Sequence, residues 1–118
     1  MRAAWILVVL AAAPPALAQQ RTPTAQRALV ELSRVIGESH AIRQACEGAR
    51  DQFWRVRMQQ LLVQEASEPA MRTQLSVAFN DGYHAGQGRY PKCRKAARAE
   101  ARRIAASGKA LSEGLGAP

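Results

Sequence analysis

Few side chains in this 118-residue sequence could make or break bonds. Two cysteines, Cys46 and Cys93, and two histidines, His40 and His84, are its only thiols and imidazoles. No Gly-x-Ser-x-Gly elbow, His-Glu-x-x-His helix or phosphate-binding glycine loop accompanies them. Asp and Glu together number nine, and no two of them have a spacing that suggests a general acid working with a general base. His84, beside Tyr83, reads as a surface residue rather than a base. A metal ion needs more ligands than His40 and His84 offer. The residues therefore predict no metal, no cofactor and no catalysis, with an undetected hydrolase as the remaining enzyme reading.

Three other groupings could act by binding. His40, Arg43 and Glu47 are three and four residues apart and would stack on successive helical turns. Arg43 falls in an otherwise apolar arc, and Glu65 falls likewise on the apolar stripe of the next helix. A buried guanidinium needs a carboxylate, so Glu47 or Glu65 is the expected partner. Such a cluster is either an ion pair fixing helix packing or the wall of a small polar pocket.

The second grouping is basic. The formal net charge is +8, and from Arg89 onward eight basic residues face only Glu100 and Glu113. At about 100° per residue, Arg94, Lys95, Arg98, Arg102 and Lys109 share one arc, opposite Cys93, Ile104 and Leu111. Such a stripe attracts polyanions through its summed field, or else is simply a solvated face. No nucleic-acid motif or interleaved aromatic pattern supports a nucleic-acid partner. The third grouping, Phe79, Asn80 and Tyr83, could border an apolar groove for a protein partner.

The elements that would position these residues are all helical. Thr24 can cap a first helix running to about Cys46, with Leu29, Leu32, Val35, Ile36 and Ile42 on one face and Gly48 ending it. Asp51 is a candidate cap for a second helix, with Trp54, Met58, Leu61 and Leu62 as its stripe and Trp54 as its large anchor. Ser67-Glu68-Pro69 marks a third start. There Met71, Leu75, Ala78, Phe79, Gly82 and Gly86 share a face, and the two glycines would let another backbone approach closely. Gly88 to Pro91 is a turn, and Pro91 leads into a fourth helix lined by Cys93, Ala97, Ala101, Ile104, Leu111 and Leu115. No alternating strand pattern and no internal repeat interrupts this. The fold expected is a small all-α bundle of about four helices.

The N-terminus predicts export. Arg2 is followed by an apolar run from Ala3 to Ala13, then Pro14-Pro15 and the small-residue ending Ala16-Leu17-Ala18. This order is that of a cleavable signal, cut after Ala18, with an uncleaved anchor as the alternative. The run is shorter than the roughly 20 apolar residues of a spanning helix, and no other stretch is apolar enough to cross a membrane. The expected organisation is a signal over 1–18, a disordered polar tail over 19–23 and one helical domain over 24–118. An even cysteine count in an exported chain argues for a Cys46–Cys93 disulfide, against two buried free thiols.

The stretches His40-Ala41-Ile42-Arg43 with Cys46, Trp54-Arg55 with Met58, Leu61-Leu62 and Glu65, Ala78 to Tyr83, and Tyr90-Pro91-x-Cys93 span about half the chain. On these the sequence resembles a family of small exported alphaproteobacterial proteins catalogued only as a domain of unknown function. The resemblance implies export, an all-helical domain and a cysteine pair at these positions, and it assigns no site residue. The reading of the whole is a periplasmic helical protein that acts by binding an anionic envelope component through Arg94, Arg98 and Arg102. The alternative partner is another exported protein.

Overall fold

The computed structural model describes residues 21–116; the signal expected over 1–18 lies outside the described residues. Four helices follow one another: α1 (Pro23–Glu47), α2 (Phe53–Glu65), α3 (Pro69–Arg89) and α4 (Lys95–Gly116). No strand occurs among the described residues. The protein is an all-α bundle closed by one disulfide.

Local chemistry explains where each helix begins and ends. α1 starts earlier than Thr24: the Thr22 hydroxyl accepts from the Ala25 N–H at 3.2 Å, and Pro23 takes the first helical position, where no N–H is needed. Arg21 is tied down as well, donating to Glu65 at 2.6 Å and to the Leu115 carbonyl at 3.0 Å. The last residues of the expected tail thus carry the cap and a bridge between helix ends. Gly48, at φ 114°, ends α1 in a conformation that side-chain-bearing residues rarely adopt. At α2 the cap position is Gln52, yet the carboxylate of Asp51 still accepts from the Phe53 N–H at 3.1 Å. α3 begins at Pro69 as expected. α4 begins only at Lys95, so Pro91 and Cys93 belong to the preceding turn rather than to the helix. Tyr90, ahead of Pro91, stays outside the helical region (φ −130°, ψ 66°), as pre-proline sterics require.

The long-range contacts fix the helix directions. Arg43 near the end of α1 meets Asp51 just before α2, and Arg21 just before α1 meets Glu65 at the end of α2, so these two helices are antiparallel. Cys46 meets Cys93 while Arg21 meets Leu115, so α4 also runs against α1. α3 runs with α1, since Gly82 lies at Arg34 and Gly86 at Glu38 and Ala41. The course is up-down-up-down, and α1 is its axis: it packs on α2, α3 and α4, whereas the backbones of α2 and α4 stay apart among the described residues. From Leu32 to Ile42 every residue of α1 except Arg34 is buried. Surrounded in this way, the stretch turns only Arg34 toward solvent, and polar Ser33, Glu38, Ser39 and His40 are buried with the rest.

The α1–α3 crossing is the tightest contact in the molecule. A Cβ on Gly37 would stand 2.0 Å from the Phe79 carbonyl oxygen, and one on Gly82 would stand 2.0 Å from that of Arg34. Only glycine permits backbones this close. One core cluster joins Leu29, Leu32, Ile36, Met58, Leu75 and Phe79, and a second joins Val35, Ile42, Ala97 and Ile104. Within α2 only Met58 is fully buried; Trp54 is half-buried, so Met58 and not Trp54 anchors that helix.

Candidate functional site

The cysteines come together as expected. Cys46, in the last turn of α1, is bonded to Cys93 with Cα atoms 4.7 Å apart, and no free thiol remains.

The polar cluster does not assemble. Arg43 is half-exposed, donates through Nε to both oxygens of Asp51 at 2.9 and 3.0 Å, and lies 4.3 Å over the Phe53 ring. Glu47 is exposed, and Glu65 is taken by Arg21 at the opposite end of the bundle. A helical wheel places a residue on a face, but Arg43 is long enough to reach out of that face to a loop carboxylate. His40 is buried without the other three. The residue is 2% exposed, its ring stands 5.8 Å from Phe79 and 5.1 Å from Tyr83, and Nδ1 has no hydrogen-bond partner among the described residues. Burial, then the positive charge of Arg55, hold its pKa below the ordinary value, with Asp51 opposing. Arg21, Arg34 and Arg103 are instead shifted upward, each by a hydrogen-bonded carboxylate, and Glu31 is shifted downward by Arg34.

The expected partner surface is corrected too. Phe79 is 8% exposed and belongs to the core, since its backbone forms the Gly37 crossing. Tyr83 is half-buried and its hydroxyl donates to the side chain of Gln44. Asn80 alone of the three is exposed, so the buried Phe79 offers no apolar surface to a partner there.

The basic residues do share a surface. Arg94, Lys95, Arg98 and Arg102 are exposed and have no carboxylate partner among the described residues, while Lys109 keeps only a long 3.8 Å contact with Glu113. The Arg98 N–H donates to the Arg94 carbonyl at 3.2 Å, which extends the α4 ridge back to Arg94. The sequence did not show what lies along that ridge. Arg94, Arg98, Arg102, Ala105, Lys109 and Ser112 follow one another at three- and four-residue steps, and the last three form the wall of a groove of about 400 Å³. Its floor is Leu32, Val35, Ile36 and Ser39 of α1, and its far wall is Trp54, Arg57, Gln60, Leu61 and Gln64 of α2. Arg57 stands 3.4 Å over the Phe53 ring and has no carboxylate partner among the described residues. The groove is an apolar trough with a cation on each side. Among the described residues no group of three or more His, Cys, Asp or Glu side chains is placed to hold a metal, and no helix is long and apolar enough to cross a membrane.

A family model described as protein of unknown function (DUF2385) matches residues 24–117. The chain belongs to this family. The matched span of this DUF2385 protein contains both cysteines, His40, the basic ridge and every residue lining the groove. No curated protein and no solved structure matches the chain. Trp54, Leu61 and Lys109 were visible in the sequence as stripe and charge. The signal that they line one groove lies in the packing of both helices on α1, which a single-helix pattern does not carry.

Proposed function

We propose that this DUF2385 protein is a non-catalytic accessory of the cell envelope, exported to the periplasm, that binds an anionic surface through the α4 ridge. The observation that carries the reading is the run of exposed cations Arg94, Lys95, Arg98 and Arg102 with no carboxylate partner among the described residues. Elsewhere on α4 the acids are engaged locally: Glu100 takes Arg103, and Glu113 lies nearest Lys109. An unneutralised stripe of one sign raises the local concentration of anions and speeds encounter with them. Export rests on the signal-like residues 1–18 and fits the Cys46–Cys93 disulfide. Co-sedimentation with envelope fractions over a salt series tests it. Binding should fall steeply as salt rises, since exposed charges are screened beyond about 8 Å at physiological ionic strength. It should be lost in an Arg94→Glu/Arg98→Glu/Arg102→Glu variant. Binding indifferent to both salt and variant would overturn the reading.

A further inference from the structure

We infer that the groove between α2 and α4 takes the acyl chain of an anionic lipid, which makes the lipid layer the anionic surface; this rests on the α4 ridge being the binding face. The groove opens along the same ridge that carries Arg94, Arg98 and Arg102, so the side turned to an anionic layer also presents the trough. Its floor is apolar, from Leu32, Val35 and Ile36, and Trp54 and Leu61 continue that surface up one wall. Arg57 and Lys109 stand on opposite walls, so each wall offers a cation to an anionic head group above a buried chain. Arg57 has no carboxylate partner among the described residues, and the partner of Lys109 is 3.8 Å away. Charge complementarity therefore favours a negative head over a neutral or cationic one. A volume of about 400 Å³ lies within the range of small-molecule sites. Ser39, buried among these apolar residues, makes no side-chain hydrogen bond to any described residue and is the one polar residue of the floor, while Gln60, Gln64 and Ser112 lie on the walls.

Trp54 lines the groove and is the one tryptophan outside residues 1–18, so its fluorescence reports occupancy directly. The purified protein lacking the signal is titrated with alkyl phosphates of increasing chain length, each below its micelle concentration. In parallel it is sedimented with phosphatidylglycerol vesicles over a salt series. Each added methylene should tighten Kd about fourfold until the groove is full. Ala105→Phe, which fills the groove from an exposed position on α4, should abolish that dependence while salt-sensitive vesicle binding persists. Kd values indifferent to chain length, or unaffected by Ala105→Phe, would overturn the groove inference and leave the ridge standing. Absence of salt-sensitive vesicle binding would overturn the lipid layer as the anionic surface, and only absence of salt-sensitive binding to envelope fractions as well would remove the ridge reading itself.

Discussion

Replacing glycine by alanine inside this bundle should have opposite effects at different positions. Within a helix the exchange is favourable by about 0.5–1 kcal/mol, because alanine loses less backbone entropy on folding. At Gly108 that gain is available in full: the new Cβ would lie 3.4 Å from Val35 Cγ1 and 3.9 Å from Leu32 Cδ1, ordinary contact distances. Gly108→Ala should therefore raise Tm by roughly 3–6 °C for a domain of this size. At Gly37 and Gly82 the Cβ would stand 2.0 Å from a carbonyl oxygen of the facing helix. Backbone cannot swing aside as a side-chain tip can, so α1 and α3 must part by about 1 Å or more. Overpacking of this kind costs about 1–3 kcal/mol, and the parting also loosens Leu29, Leu75 and Phe79. A net loss of about 2 kcal/mol or more is expected for Gly37→Ala, lowering Tm by roughly 8–16 °C. The Gly37→Ala/Gly82→Ala double variant should be little worse than the poorer single, since one separation relieves both clashes. Urea and thermal denaturation followed by far-UV circular dichroism measure all four variants. A Gly37→Ala protein as stable as the parent would refute the close crossing.

Two further perturbations test the core and its staple. Replacing both cysteines by alanine should cost roughly 4 kcal/mol, the chain-entropy value for a link between residues 47 apart; alkylating reagent should label the oxidised protein nowhere and the reduced protein at both positions. His40 should make stability depend on pH. Its folded pKa lies below 6.5, by burial and then by Arg55, so below about pH 6.5 the unfolded chain binds a proton that the folded chain refuses. Stability then falls on acidification from about pH 6.5 down to the folded pKa, by up to about 1.4 kcal/mol per pH unit. His40→Leu should flatten the slope between pH 6.5 and 5, and an unchanged slope would assign it to other groups.

The helices were legible because their signals are local. Leu29, Leu32, Val35, Ile36 and Ile42 recur at helical spacing, Gly48 and Pro69 act within one turn, and two cysteines leave one intramolecular pairing. The cap of α1 lies two residues earlier than Thr24 because Pro23 is favoured at the first helical position, where its missing N–H and fixed φ cost nothing, which makes Thr22 the cap. What depends on neighbours in space was not legible. Arg43 sits on an apolar arc, yet its partner is the loop residue Asp51. Phe79 looks available until Gly37, on another helix, brings α1 against its backbone. The groove has no sequence signature of its own, since it is the gap between two helices that each pack on a third.

That gap and the unpaired cations are connected through α4. Arg94, Arg98 and Arg102 are like charges four residues apart, an arrangement that weakens a helix by a few tenths of a kcal/mol per pair. Nothing in the bundle offsets it: the ridge meets no carboxylate among the described residues, and the α2 backbone stands across the trough from α4. A purely structural α4 would gain from an acid at any of these positions, or from a larger residue than Ala105 or Gly108 to close onto α2. Its sequence has neither, so repulsion and an open apolar floor persist side by side on one face. An anionic group with an apolar tail relieves both at once, neutralising the ridge while covering Leu32, Val35 and Ile36. A soluble polyanion relieves only the first and an apolar peptide only the second. The same reasoning makes Lys109 the residue where the two functions meet, because it closes the basic ridge and walls the groove.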